Sequence, residues 1–144
     1  EVRWIVDDRL TLRGGVGLLR TRTTRTVSPT DPSLGREFAR TPHWSASMGT
    51  EWQVTPTVRL SGQIRRNARY FSDDFETAVL LVVPATVADA RADWKVGPVT
   101  LFGFARNMFD NFYLTWRFAP VPTRPNLATP GDPRQIGIGI DARF

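Results

Sequence analysis

Gln135-Ile136-Gly137-Ile138-Gly139-Ile140-Asp141-Ala142-Arg143-Phe144 is the stretch that decides the fold. Ile136, Ile138, Ile140, Ala142 and Phe144 share one parity; Gln135, Gly137, Gly139, Asp141 and Arg143 share the other. A period of two across a whole segment makes a β-strand with one apolar and one polar face. The final residue is an aromatic of the apolar parity. A soluble domain has little reason to close on an exposed phenylalanine. A transmembrane barrel does, because its strands face lipid on one side and aromatic rings sit at the membrane–water boundary.

Working back from that strand, six further stretches alternate. Val2, Trp4 and Val6 lead to a turn at 7–9, and Leu10, Leu12, Gly14, Val16 and Leu18 form the next apolar face. Beyond a polar loop at 23–41, Trp44, Ala46, Met48, Thr50, Trp52 and Val54 oppose His43, Ser45, Ser47, Gly49, Glu51 and Gln53. Past Thr55-Pro56-Thr57, a strand over 58–70 sets Val58, Leu60, Gly62, Ile64 and Tyr70 against Arg59, Ser61, Gln63, Arg65, Asn67 and Arg69. Thr86, Ala88, Ala90, Ala92, Trp94 and Val96 then oppose the charge ladder Asp89, Arg91, Asp93 and Lys95. The alanines there suggest a helix, but charges on alternate residues require a strand. The sixth of these, 99–118, is interrupted at 107–111. The fold class expected is therefore all-β: an antiparallel transmembrane barrel portion of about seven strands.

Loop lengths constrain the topology independently. Short turns at 7–9, 54–57 and 95–98 alternate with long loops at 23–41, 72–82 and 119–133. The alternation is strict if 107–111 is a bulge inside one strand, and it fails if those residues make a hairpin. Outer-membrane barrels have short periplasmic turns and longer external loops. A bulge is therefore expected. The hairpin alternative gives an eight-stranded closed barrel with a porin-like or structural role. A soluble sandwich or lipocalin-like binder is the third possibility.

Aromatics fit the layout. Trp4, Trp52, Trp94 and Phe144 fall at strand ends on the short-turn side; Trp44, Tyr70 and Phe118 fall toward the long loops. Trp44 and Trp52 lie about 26 Å apart along a strand at ~3.3 Å per residue. A tilt of roughly 40° projects that to about 20 Å, near the ~25 Å apolar band between aromatic girdles. The expected girdle is Trp4, Trp44, Trp52, Tyr70 and Trp94.

Composition excludes other classes. Mean hydropathy is −0.26, and the longest apolar run, 78–85, falls far short of the roughly 18 residues of a spanning helix. The net charge is +5, and all the basic residues but Lys95 are arginine. They scatter over strands and loops with no nucleic-acid-binding motif, so nucleic acid is not an expected partner. The absence of cysteine removes thiol catalysis and thiolate metal sites. The chain begins at Glu1, which suggests a processed protein or a piece of a longer one.

Taken together, the chain resembles the C-terminal part of a TonB-dependent outer-membrane receptor over essentially all of its length. Asn107-Met108-Phe109-Asp110-Asn111-Phe112-Tyr113 resembles that family's Asn-Leu-Phe-Asp-x-x-Tyr element near the penultimate strand. Gly131-Asp132-Pro133-Arg134 resembles the Gly-Glu-Pro-Arg that opens its last strand. Thr41-Pro42-His43 resembles its Ala-Pro-x-His pattern. Phe144, with Gly139 and Ala142, resembles the signal read by the barrel assembly machinery. Met108 replaces the usual leucine, and Ala142 is smaller than that signal prefers. The resemblance implies a 22-stranded barrel, a plug domain and energisation by TonB, for uptake of ferric siderophores or other scarce solutes. Domains follow: 1–144 as the last strands, with plug and TonB-contacting segment outside the chain. An open seven-stranded sheet supports this, since unsatisfied edge groups in hydrocarbon cost several kcal/mol each. The expected partners are outer-membrane lipid, the remaining strands, the plug, and TonB through it.

No catalytic constellation, cofactor or metal is expected, and the chain is not read as an enzyme. His43 stands at a strand entrance as a structural or lumen-lining residue. Gly14-Gly15-Val16-Gly17 lies in a strand pattern and lacks the full dinucleotide fingerprint. Asp73, Asp74 and Glu76 are better read as a solvated acidic loop than as a Ca²⁺ site. The candidate site is the lumen-side set Arg59, Arg65, Arg69, Asp89, Arg91 and Asp93. Cross-strand pairing that steadies the wall is favoured over docking the plug or guiding an anionic chelate. Arg66 has lipid-facing parity and is expected near the external boundary, where it can snorkel. Arg25, Arg36 and Arg40 place positive charge in an external loop suited to an anionic solute or lipopolysaccharide phosphates.

Overall fold

The computed structural model describes residues 1–119 and 126–142. It contains eleven strands: β1 (Val2–Ile5), β2 (Leu10–Leu18), β3 (Trp44–Gln53), β4 (Val58–Asn67), β5 (Tyr70–Phe71), β6 (Leu81–Val82), β7 (Thr86–Val96), β8 (Val99–Arg106), β9 (Leu114–Phe118), β10 (Leu127–Pro130) and β11 (Gln135–Ala142). Seven of them form one antiparallel sheet in the order β1-β2-β3-β4-β7-β8-β11. The remaining four make two short ribbons, β5 with β6 and β9 with β10. Ala88, Ala90 and Ala92 lie in strand β7, so alternating charge overrides alanine's helix preference there.

Local chemistry fixes the short connections. The Asp7 carboxylate accepts the backbone N–H groups of Arg9 and Leu10, both at 2.7 Å, closing the β1–β2 turn. Thr55 and Val58 exchange backbone hydrogen bonds across the β3–β4 turn. Gly97 turns β7 into β8 with φ +61°, a conformation side chains resist. All three turns lie at one end of the sheet. The long connections, 19–43 and those carrying the two ribbons, lie at the other. Ala142 pairs with Val99 beside the Gly97 turn, so β11 runs back to the short-turn end.

Two expectations need correction. The segment 107–111 is neither a bulge within one strand nor a hairpin in the wall. β8 stops at Arg106, Asn107 and Asp110 take positive φ (45° and 54°), and the chain continues into the separate β9–β10 ribbon. β11 then pairs with β8. The strict alternation of connections holds, and no eighth wall strand occurs among the described residues. Likewise β4 ends at Asn67, short of 70. Ala68 is buried and donates to the Trp44 carbonyl, after which Arg69 and Tyr70 leave the wall. Phe144, Arg143 and the proline-rich residues 120–125 lie outside the described residues.

Among the described residues the sheet has no conventional core. The buried apolar residues are Ala68, Leu80, Val82, Val87 and Ala88, gathered toward the long-connection end. The chain exposes 10747 Å², where a compact 16.2 kDa monomer exposes roughly 7,500 Å². Both faces of the sheet are open, and they differ. The strand residues of one face include Val16, Leu18, Met48, Ile64, Trp94, Ile136, Ile138 and Ile140, all exposed. An apolar surface this broad marks an interaction face.

Candidate functional site

The opposite, polar face carries the charge. Registers set Arg59 against Asp93, Ser61 against Arg91, Gln63 against Asp89 and Arg65 against Val87. Pairing is only partly cross-strand. Arg65 reaches Asp89 at 3.3 Å and Arg13 reaches Glu51 at 3.0 Å. Asp93, although opposite Arg59, is taken by Arg91 of its own strand at 2.7 Å; Arg91 also approaches Asp141 at 3.6 Å. Arg59 instead donates to Gln53 at 3.1 Å. Arg69 is exposed beyond the end of β4 and joins none of these pairs. Exposed pairs of this kind contribute about 0.2–1 kcal/mol each. Their greater effect is to shape a field: arginine outnumbers acid on this face, which favours anionic solutes.

An aromatic patch interrupts the polar face, and alternation alone did not reveal it. Phe102 and Phe104 point to the charged side, opposite Asp93 and Arg91. The Arg91 guanidinium lies 3.8 Å from the Phe102 ring centroid, and Arg106 lies 5.5 Å from that of Phe104. Both rings cover glycines of β11. A Cβ on Gly137 would meet Phe104 at 2.6 Å, and one on Gly139 would meet Phe102 at 2.3 Å. Small residues on β11 thus make room for large ones on β8. The signal was there in sequence, since the polar parity of β11 holds two glycines, but it needs the register to be read. With Arg13, Glu51, Gln63 and Asp89, these rings line a concave space of about 1040 Å³.

The motif residues gather at the long-connection end of the wall. Asn107 is 3% exposed. Its amide nitrogen donates to the carbonyls of Asn111 and Asp132, each at 3.0 Å, and its amide oxygen accepts the Asn111 N–H at 3.1 Å. The backbone N–H of Asn107 donates to Asp89 at 2.9 Å, and the Asn111 side chain donates to the Thr86 carbonyl at 2.9 Å. Asp110 lies 3.6 Å from Arg134. Tyr113 packs on Gly131, whose N–H donates to the Tyr113 carbonyl at 2.8 Å. Phe109 and Pro133 are exposed. The two sequence elements therefore lock against each other and against β7.

Trp4, Trp52 and Trp94 stand exposed on the apolar face near the short turns, and Trp44 stands at its other end. Tyr70 lies off that face in β5, its hydroxyl donating to the Thr115 carbonyl at 2.8 Å. Burial raises the Tyr70 pKa, against the opposing charge of Arg40. Gly139 seats Phe102, and Ala142 is exposed at the end of β11.

Above the wall the acidic loop is engaged. Asp73 accepts from Thr77, Asp74 from the Ala39 N–H, and Glu76 from the Glu37 N–H and from Arg36 at 2.9 Å. These contacts tie loop 72–82 to loop 19–43. The Glu37 N–H, then Arg36, holds the Glu76 carboxyl below its ordinary pKa. His43 lies 2.6 Å from Glu37. No cluster suited to a metal ion occurs among the described residues.

No protein-family model matches the chain. Solved structures do. The ferric yersiniabactin uptake receptor FyuA from Yersinia pestis aligns with a TM-score of 0.86 at 14% identity over 99% of this chain. The siderophore receptor PiuA from Acinetobacter baumannii aligns at 0.77, with 20% identity over 96%. The ferric preacinetobactin receptor BauA from the same organism aligns at 0.70, with 22% identity over 96%. The chain covers 22%, 20% and 20% of those three proteins, about a fifth of their length. At these identities the likeness establishes the fold, a portion of a transmembrane β-barrel wall.

Proposed function

We propose that residues 1–144 form the C-terminal part of the barrel of a TonB-dependent receptor in a Gram-negative outer membrane. On this reading the chain is a piece of a transporter, not an enzyme, and the receptor imports a scarce solute such as a ferric siderophore. The observation that carries the reading is the seven-stranded sheet itself. One face is apolar and exposed, the other is arginine-rich, and the whole aligns with receptor barrels over nearly its full length.

In this function the apolar face meets acyl chains and the charged face meets water and the plug. The edges at β1 and β11 pair with the receptor's other strands, because unsatisfied backbone groups in hydrocarbon are too costly to leave open. The positive excess of the inner face and the arginines of loop 19–43 attract anionic chelates, while Phe102 and Phe104 offer aromatic surface beside Arg91 and Arg106. TonB acts through the plug, and the barrel assembly machinery inserts the strands.

The test is uptake. Cells lacking the intact receptor gene should lose growth on one or more ferric chelates under iron restriction, and regain it on complementation. Full uptake of every chelate and every alternative scarce solute by the deleted strain would overturn the reading. So would recovery of the intact protein in the aqueous fraction.

A further inference from the structure

The apolar face carries one charged side chain among the described residues of its seven strands. It is Arg66, at the long-connection end of β4. An arginine is costly facing hydrocarbon, so its surroundings matter. Arg66 Nη1 donates to Thr86 Oγ1 at 2.9 Å, directly across the strand pair. Among the described residues it joins no ion pair with a carboxylate. A guanidinium has five N–H donors, and a single threonine oxygen accepts from one of them. The threonine sets the direction of the group and leaves the rest of the fork free.

Below Arg66 on the same face lies a hollow of about 840 Å³. Gly14 and Ala46 form its floor because their side chains are small; Val16, Met48 and Ile64 rise around them. The volume is within the usual range of small-molecule sites. A free cation at the rim of an apolar hollow is complementary to an amphiphile with an anionic head. The planar fork suits phosphate in particular, which it binds through two parallel hydrogen bonds.

We propose that Arg66, oriented by Thr86, holds the phosphate of a membrane lipid with a net anionic head, whose acyl chain lies in the hollow over Gly14 and Ala46. The proposal rests on the apolar face meeting lipid, and its test separates the two. The intact receptor is reconstituted in phosphatidylcholine vesicles containing photoactivatable phosphatidylglycerol or, in parallel, photoactivatable phosphatidylcholine. Cross-links are mapped by mass spectrometry at Met48 and Ile64, with Ile138 of β11 as the distant reference. Phosphatidylglycerol should label Met48 and Ile64 about fivefold more than phosphatidylcholine, the preference expected of one basic group at a membrane surface. Ile138 should label equally with both. Arg66→Gln should remove the preference at Met48 and Ile64, while Arg66→Lys, which keeps the charge, should retain part of it. Equal labelling of Met48 and Ile64 in the unmodified receptor overturns the proposal and leaves the lipid-facing reading standing; so does a preference that survives Arg66→Gln. Absence of both lipids from Met48, Ile64 and Ile138 overturns the two together.

Discussion

The two faces of the wall are built on one backbone and obey opposite rules. On the outer face, size varies and charge is nearly absent: Trp52 and Leu60 stand beside Gly62 and Ala92, and among the described strand residues Arg66 alone is charged. On the inner face, charge varies and size is matched across strands, as where Phe102 and Phe104 cover Gly139 and Gly137. On the proposed reading the outer face has to suit a fluid that fits any contour but rejects charge, and the inner face has to suit water and a solid partner, which tolerate charge but not misfit.

The comparison is most directly broken by moving one charge across the sheet. In the intact protein in bilayers, Ala90→Arg places a guanidinium in the middle of the outer face and should cost about 2–4 kcal/mol. Gln63→Arg, on the inner face opposite Asp89, should change stability by less than about 0.5 kcal/mol. Urea midpoints measure both, and equal midpoints would mean that the outer face does not meet hydrocarbon.

Glycines give the next largest contrast. Gly139→Ala drives a methyl group into the Phe102 ring, and overpacking of that kind costs roughly 1–3 kcal/mol. Gly103→Ala, on the outer face, meets only ordinary contacts at 3.8 and 3.9 Å. It should be neutral or slightly stabilising through reduced freedom of the unfolded chain. Thermal unfolding of the two variants distinguishes them, and a harmless Gly139→Ala would remove size matching as a rule of the inner face.

Ion pairs come lower. A double-mutant cycle on Arg13 and Glu51 should return at most about 1 kcal/mol, since both side chains are half exposed. A larger coupling would show that inner charges hold the wall together instead of shaping its field.

The smallest effect lies outside both faces. The Glu76 pKa is lowered by the Glu37 N–H and Arg36, so its contribution is complete above the ordinary glutamate value of about 4.3. It fades as pH falls through the depressed folded-state value. Hydrogen exchange at the Glu37 amide should quicken on that acid limb, while exchange in β3 and β4 stays unchanged.

What the sequence made legible was set by period. The wall strands 135–142 and 86–96 announced themselves because one chain segment alone determines parity. The place where β4 leaves the wall did not, because Ala68 and Arg69 continue the alternation while the backbone departs. The same limit hid the break at Asn107, whose positive φ and buried amide are tertiary features. Phe102 and Phe104 escaped for another reason: an aromatic on the polar parity is explained only by the glycine on the neighbouring strand. Of the proposed lumen set, the register brings Arg59, Arg65, Asp89, Arg91 and Asp93 together, and leaves out Arg69.

The lock around Asn107 has a consequence for engineering. Although the β9–β10 ribbon grows out of β8, its base is fastened to β7, through Thr86, Ala88 and Asp89. Those base fasteners end at Tyr113 and Gly131; above them β9 is tied to the β5–β6 ribbon and its loop, where Tyr70 donates to the Thr115 carbonyl and the Arg117 N–H donates to Ser72. Foreign hairpins spliced at Tyr113 and Gly131 would inherit the orientation of that base, which makes this rim a natural grafting point for new surface epitopes.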